Sequence, residues 1–473
     1  MASIMKITIW VCIAVIVAAV VGLRIWPSGE SPVRSIEDYA ATRLIEPEEW
    51  VGIAKKGGLA GTGWVLLPKP SGKPEFLSNI RPAARGFLKP EDCGKCHSQN
   101  FQGFMKTAHA VTSALPASHS ILGSFADGKN TFVSADARLR FRMTSINDRF
   151  YQELHVEEDQ NRYEFKQAID LVLGSGNHGQ SYLWWQGDRL YQMHVSYLSE
   201  TGQWVNSPGM YVDGTADFAR PVPGRCLDCH ATWFGEDPKE INRFDRHNFI
   251  LGVTCVRCHG PGHEHAAYHQ ETPGAAEGQL IVNPARLSRD RLNDLCAQCH
   301  SSGEPLRPAF SYRPGEHLAE FLELDLAADD PGNDDPHSAN QLARLMRSRC
   351  YINSDTMSCI TCHDPHRDQR GQFAEYAEAC RKCHQPEACG ERNTLGDFID
   401  RRCIECHMPS KRDQQVRVDT GTGSVAALLR DHAIGIWPEA TEKVRAESKK
   451  SDVPDTPNNA IPEQPPTSKG RVL

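Results

Sequence analysis

The chain has 473 residues, 40% of them hydrophobic, and a formal net charge of −8, which is enough for two or three domains. The acidic balance, with no basic stripe or basic helix, argues against nucleic acid as a partner and favours a basic protein partner. Seventeen cysteines point to metal or redox motifs, or to an oxidising compartment.

At the N-terminus, Ile7 to Leu23 carries no charge; Lys6 precedes it and Arg24, Ile25 and Trp26 follow. With its Ile25–Trp26 edge the run is just long enough for a bilayer, which takes about 20 residues. A cleaved signal peptide is the rival reading, but no clear Ala-x-Ala site precedes the polar stretch. The expectation is a single-pass anchor over residues 1–26, with the Lys6 side in the cytoplasm and everything after Arg24 on the extracytoplasmic, periplasmic side. Residues 27–87, with Gly57, Gly58, Gly61 and Gly63, read as a loop-rich lead-in with little regular structure.

Residues 88–112 hold the first of seven copies of Cys-x-x-Cys-His. The copies are Cys93, Cys96, His97; Cys226, Cys229, His230; Cys255, Cys258, His259; Cys296, Cys299, His300; Cys359, Cys362, His363; Cys380, Cys383, His384; and Cys403, Cys406, His407. Two thiols so spaced form thioethers to the two vinyl groups of one haem, and the following histidine lies under the iron. This is the c-type attachment signal. Zinc ribbons use paired motifs with no fixed following histidine, whereas here the count is odd and every copy ends in His. Seven covalently attached haem c groups are expected. Pro90 opens a helix expected from about Gly94 to Ala110.

Cys226 follows His97 by 129 positions, with no cysteine between. Alternating runs such as Leu139/Phe141/Met143 and Tyr151/Glu153/His155, divided by turns at Gly187-Asp188 and Glu200-Thr201-Gly202, predict a small antiparallel β domain of four to six strands over 113–222. From 223 to 436 six motifs crowd together, leaving room only for short helices. Side chains alone cannot make that core, so haem must supply it. The tail 437–473, rich in Pro, Glu, Lys and Ser, is expected to be disordered. The expected fold is thus a multihaem cytochrome c: mostly short helices and loops around stacked haems, with a small antiparallel β domain and an N-terminal transmembrane helix.

Twenty histidines less the seven in the motifs leave thirteen, enough for a second axial ligand at every iron. Four stand out by their setting. His109 ends the helix after the first motif. His265 follows the Gly260-Pro261-Gly262 turn. His366 is too close to His363 to serve the same haem, and so should cap a neighbour. His432 lies beyond the last motif. His194 is either a ligand or a solvent-facing strand residue. His337 directly follows the acidic run Asp329–Pro336, which reads as a solvated turn or a calcium loop without EF-hand spacing. Met193 and Met408 are apolar packing residues by default. Cys350 and Cys389 are either free or a disulfide.

Several segments carry a resemblance. They are Gly174-Ser175-Gly176-Asn177-His178-Gly179-Gln180-Ser181-Tyr182-Leu183, Ser207-Pro208-Gly209-Met210, Gly252-Val253-Thr254-Cys255 running into Cys258-His259-Gly260-Pro261-Gly262, Ser311-Tyr312-Arg313-Pro314-Gly315-Glu316, and Cys406-His407-Met408-Pro409. They resemble the multihaem cytochromes of the cytochrome c-552/4 type, often fused to tetratricopeptide repeats. That type is distantly related to hydroxylamine oxidoreductase and its tetrahaem acceptor. The resemblance covers about residues 88 to 436. It implies extracytoplasmic electron transfer with bis-histidine ligation, supports His109, His265, His366 and His432 as ligands, and adds His178.

Three functions follow as alternatives. The first is a membrane-anchored heptahaem electron carrier of a respiratory chain, working with redox partner proteins or a quinol-linked membrane complex; it is expected to be an electron-transfer protein more than an enzyme. The second is a reductase or oxidase of small nitrogen compounds such as nitrite or hydroxylamine, which needs one iron with an open side. The third is a structural haem subunit of a larger respiratory complex.

Overall fold

The computed structural model describes residues 50–52, 65–68 and 86–449, except 159–160, 211–214, 276–277 and 327–339. The expected anchor over 1–26 lies outside the described residues. Among those described, no helix is long and apolar enough to cross a membrane.

The lead-in contributes two strands, β1 (Trp50–Gly52) and β2 (Val65–Pro68), paired antiparallel. The helix expected up to Ala110 is instead broken. α1 (Pro90–Gly94) carries Cys93, α2 (Ser98–Phe104) follows His97, and a 3-10 turn covers His109–Val111. Gly103 in α2 explains part of the arrangement: a Cβ there would lie 2.3 Å from the carbonyl oxygen of His366.

The β domain is larger than expected, with twelve strands among the described residues between Ser113 and Pro221. They run β3 (Ser113–Ala114), β4 (Thr131–Val133), β5 (Leu139–Ile146), β6 (Arg149–Glu158), β7 (Asn161–Ala168), β8 (Leu171–Leu173), β9 (Gly179–Gln186), β10 (Arg189–Gln192), β11 (Val195–Leu198), β12 (Gln203–Asn206), β13 (Ala216–Asp217) and β14 (Arg220–Pro221). Strands β4 to β7 form one antiparallel sheet in sequence order. Strand β9 is the hub of a second, pairing with β8, β10 and β11. Strand β13 runs parallel to β2, tying the lead-in to this region.

The cause is local. In β5 Leu139, Phe141 and Met143 point inward while Arg140 and Arg142 face out, the period-2 pattern of a half-buried strand. Asn147 and Asp148 both take positive φ, 51° and 58°, and close the β5–β6 hairpin as a two-residue turn whose twist suits the strands. Between the sheets Phe141, Tyr182, Trp204 and Phe218 form a side-chain core. A second cluster of Leu171, Leu190, Trp233, Phe234 and Phe244 joins this region to Leu227 of the second motif.

Beyond Pro221 the motifs ride on short helices: α3 (Gly224–His230), α4 (Cys255–His259), α5 (His263–Glu271), α6 (Arg289–His300), α7 (Gln341–Met346), α8 (Arg349–Ile352), α9 (Phe373–Arg381), α10 (Arg392–Leu395) and α11 (Cys403–His407). Strand pairs were not anticipated here. Three occur among the described residues: β15 (Ala231–Glu236) with β16 (Phe244–Leu251), β17 (Gly303–Pro305) with β18 (Leu322–Leu324), and β19 (Ser410–Asp419) with β20 (Ser424–Arg430). The tail also departs from expectation. Pro438 at the first position starts helix α12 (Pro438–Ser448). It is held to the preceding region by Arg445, whose guanidinium pairs with Glu391 at 2.6 Å.

Candidate haem sites

Each motif occupies about one helical turn. The His97 amide bonds the Cys93 carbonyl at 2.8 Å, and His363 and His384 repeat this with Cys359 and Cys380 at 3.0 Å. Residues i, i+3 and i+4 of such a turn share one face, so both thiols and the imidazole are presented together. The fifth motif starts on a 3-10 turn fixed by a capping box between Ser358 and Thr361.

The histidine rings give the clearest fit to haem. His97 and His265 have ring centres 6.2 Å apart, His109 and His300 6.2 Å, His259 and His366 6.0 Å, and His363 and His432 6.1 Å. Such rings are too far apart for direct contact. A metal bond of about 2 Å on each side, plus roughly 1 Å from each ring nitrogen to its centre, predicts about 6 Å between two imidazoles on one iron. Four motif histidines thus each face one histidine from outside the motifs, at the separation an iron would impose. The ring planes of three pairs lie 18° to 25° from parallel, whereas His109 and His300 are crossed at 76°.

Hydrogen bonds aim these rings. Nδ1 of His265 lies 2.7 Å from the Gln279 carbonyl, that of His259 2.9 Å from Val282, and that of His407 2.7 Å from Gly435. A carbonyl only accepts, so Nδ1 must carry the proton and Nε2 keeps its lone pair for a metal. Burial pushes His300 down to about 4, with His109 adding to the effect, and burial and His363 push His432 down to about 4. Both are neutral at ordinary pH, the state in which imidazole binds metal.

The backbone links sites to one another. The His109 carbonyl accepts from the Val253 amide at 2.9 Å. Thr112 Oγ1 and Ser113 Oγ donate to the His230 carbonyl at 2.8 and 2.7 Å. The attachment thiols also meet across motifs. Cys93 is in hydrogen-bonding reach of Cys255, Cys229 of Cys299, Cys296 of Cys359, and Cys380 of Cys403. Cys258 and Cys296 lie in electrostatic range of each other, as do Cys362 and Cys380. The motifs therefore run first, third, fourth, fifth, sixth, seventh, with the second joined to the fourth. A buried ion pair ties the second motif to the third as well: Arg257 of the third motif bonds Asp228 of the second, against the Phe310 ring.

Other candidate positions lie elsewhere. His194 is neither a solvent-facing residue nor near a motif. It is 2% exposed, stacked on Phe141 at 4.7 Å, and its Nδ1 accepts from the Asp217 amide. It is a core residue in the bend between β10 and β11, with Met193 and Val195 buried on either side of it. His178 is exposed at the edge of β9, its carbonyl accepting from the Ser199 amide. Among the described residues no histidine ring stands at the 6 Å spacing from His178, His230, His384 or His407. His337 lies outside the described residues. Cys350 and Cys389 are both free thiols; Cys350 is in range of Cys362 and Cys389 of Cys406.

Sequence reasoning missed the supporting residues: the carbonyls of Gln279, Val282 and Gly435, and the pairs Asp228–Arg257 and Asp431–Arg344. Backbone acceptors leave no signature in residue type. Charged residues inside a motif, as in Cys226-Leu227-Asp228-Cys229 and Cys255-Val256-Arg257-Cys258, were a legible hint that two motifs meet.

Comparison with known proteins agrees with the motifs. The family model described as cytochrome c554 and c-prime matches residues 178–260. The dissimilatory sulfite reductase MccA of Wolinella succinogenes is 22% identical over 375 residues, covering 67% of this chain and 47% of that protein; the chain thus spans about half the length of that relative. The solved structure of the outer cell wall cytochrome OcwA aligns at 16% identity over 76% of this chain and 81% of that one, with a TM-score of 0.46. With complete attachment motifs, imidazoles spaced for iron and a cytochrome c554 segment spanning the second and third motifs, the chain is a multihaem c-type cytochrome with covalently bound haem c.

Proposed function

We propose that the chain is a heptahaem electron carrier of a respiratory chain, held to a membrane by Ile7–Leu23 with its haem-bearing part on the extracytoplasmic side. Haem c supplies reversible one-electron chemistry at iron, tuned by its axial ligands. The protein's own work is placement. The observation that supports the reading is that attachment cysteines of different motifs come within hydrogen-bonding reach, Cys93 of Cys255, Cys296 of Cys359 and Cys380 of Cys403, as cofactors in a series rather than in isolated sites would require. His109, His265, His366 and His432 are the proposed second ligands of His300, His97, His259 and His363. An iron held between two histidines has no vacant position for substrate, which suits electron exchange and disfavours catalysis. The proposed partners are a redox protein or a quinol-linked membrane complex.

A second reading rests on His230. Its ring is half-buried, and Nδ1 has no hydrogen-bond partner among the described residues. No second histidine ring stands across from it there, and its motif joins the series at the fourth. A haem attached through Cys226 and Cys229, its iron bound by His230 and open on the other side, would reduce a small oxyanion or nitrogen compound; nitrite, hydroxylamine and, by likeness to the sulfite reductase, sulfite are the candidates.

One set of measurements separates the readings. Pyridine haemochrome against intact mass should give seven haems per chain, and six or fewer in mature protein removes a motif from the count. Purified protein with a reduced dye should exchange electrons rapidly yet show no sustained turnover of nitrite, hydroxylamine or sulfite. Sustained turnover with carbon monoxide binding to the ferrous protein, both altered by changing residues beside His230, would replace the carrier with the reductase. Removing residues 1–26 should release the protein from membranes with its haem spectrum unchanged.

A further inference from the structure

The five residues Asp431–Gly435 connect two haem sites that are distant in the motif order. His432 faces His363 of the fifth motif at 6.1 Å. Three residues later Gly435 accepts the Nδ1 hydrogen of His407, the seventh motif's histidine, at 2.7 Å, and its amide returns a bond to the His407 carbonyl at 3.1 Å. One short strand of chain therefore carries a proposed second ligand of one iron and the orienting acceptor for the ligand of another.

This segment is anchored from inside. Asp431 is 0% exposed and Arg344, on α7, 2%. Arg344 binds the carboxylate with both Nε, at 2.9 Å, and Nη2. Lys411 Nζ approaches the same carboxylate at 3.3 Å. The Asp431 carboxylate then accepts from the Ala433 amide at 2.9 Å, while the Asp431 amide donates to Pro409 at 3.0 Å. Ser348, four residues after Arg344, completes the clamp: its hydroxyl donates to the His432 carbonyl at 3.1 Å and accepts from the Ile434 amide at 2.8 Å. His432 is thus gripped on both sides, and the grip extends to the residue before Gly435.

We propose that Asp431 and Arg344 are positioning residues that set the coordination of two haems at once, those of the fifth and seventh motifs. The proposal rests on the reading that His432 binds the fifth-motif iron. The carboxylate fixes the backbone at 431 and 433, and so fixes where the ring between them points. The same fixation places the Gly435 carbonyl, and the hydrogen bond to Nδ1 governs how basic a metal-bound imidazole is. A buried charge pair serves such a task because removing one partner leaves the other uncompensated, so the segment is held in one position.

The test is Asp431→Asn in the full haem-loaded chain, read by ferric electron paramagnetic resonance and by a spectroscopic redox titration. The expected result is that the low-spin signal of one haem is lost in part to high spin, and that the midpoint of a second, still low-spin haem shifts. Arg344→Lys keeps the charge but not the forked geometry and should give a smaller change of the same kind; if the Asn variant does not accumulate, this one decides. Glu391→Gln, which removes the ion pair with Arg445 near the seventh motif, should lower melting temperature without moving either signal. His432→Ala separates the two claims. If it leaves every haem low-spin, the ligation reading fails. If it makes one haem high-spin while Asp431→Asn and Arg344→Lys leave spectra and titration superimposable on the native protein, the positioning role is overturned.

Discussion

The region from Ser113 to Pro221 and the region from Gly224 to His432 solve the same problem with different material. The first is held by its own side chains: Phe141, Tyr182, Leu154 and Phe218 are fully enclosed between its sheets. The second has a smaller apolar cluster, with Leu292, Leu295, Tyr312 and Leu342 among its members, and some of its helices bury little: α5 has no buried residue, and α9 has only Ala377. Its order comes from paired imidazoles about 6 Å apart, cysteines that meet across motifs, and buried ion pairs such as Arg344–Asp431. A region can manage with a smaller apolar core where a covalently bound cofactor supplies buried surface, but it then depends on that cofactor to fold.

The strongest way to break this contrast is to withhold haem. Chain made without the attachment machinery should lose the structure of 224–432 while retaining β-sheet circular dichroism and slow amide exchange over β5, β6 and β9. Uniform unfolding of both regions would show that the β domain also depends on haem. Next in size is Phe141→Ala. Truncating a fully enclosed aromatic costs about 3–5 kcal/mol, seen as a lower denaturation midpoint of the β region, while the haem spectrum stays native.

A smaller effect should follow Gly103→Ala. The added methyl would meet the His366 carbonyl at 2.3 Å, so α2 and the Asp364–His366 turn must move apart. The expected outcome is a mixture of low and high spin at the haem shared by His259 and His366, with the β region's midpoint unchanged. A spectrum identical to native would mean that the turn absorbs the displacement without moving the ring.

Sequence legibility followed the same divide. Motif identity was complete in the sequence, because covalent attachment demands two cysteines and a histidine at fixed spacing. His109, His265, His366 and His432, whose rings stand about 6 Å from motif histidines, were singled out by chain context: a helix end, a Gly-Pro-Gly turn, a histidine too near its own motif, and the last histidine. Their pairing was not, since which motif each one faces depends on tertiary placement. The turns at Gly187-Asp188 and Glu200–Gly202 were readable and do join β9 to β10 and β11 to β12. The number of strands was underestimated because strands of two to four residues, such as β3, β8 and β13, are too short to show a period. His194 shows the opposite failure. Its residue type suggested a ligand, but it lies in the bend between β10 and β11, where tertiary packing buries it against Phe141. Helix α12 was hidden by a Pro- and Glu-rich composition, although Pro438 at its first position is a favourable start.

The central claim is that four motif histidines share an iron with four histidines from outside the motifs. Near-infrared magnetic circular dichroism of the ferric protein, combined with electron paramagnetic resonance, counts such irons directly. The account predicts at least four low-spin bis-histidine haems per chain, one of them with the anisotropic signal of crossed ligand planes that His109 and His300 would give at 76°. That signal should vanish in His109→Ala and persist in His265→Ala. Fewer than four bis-histidine haems in fully loaded protein would contradict the account.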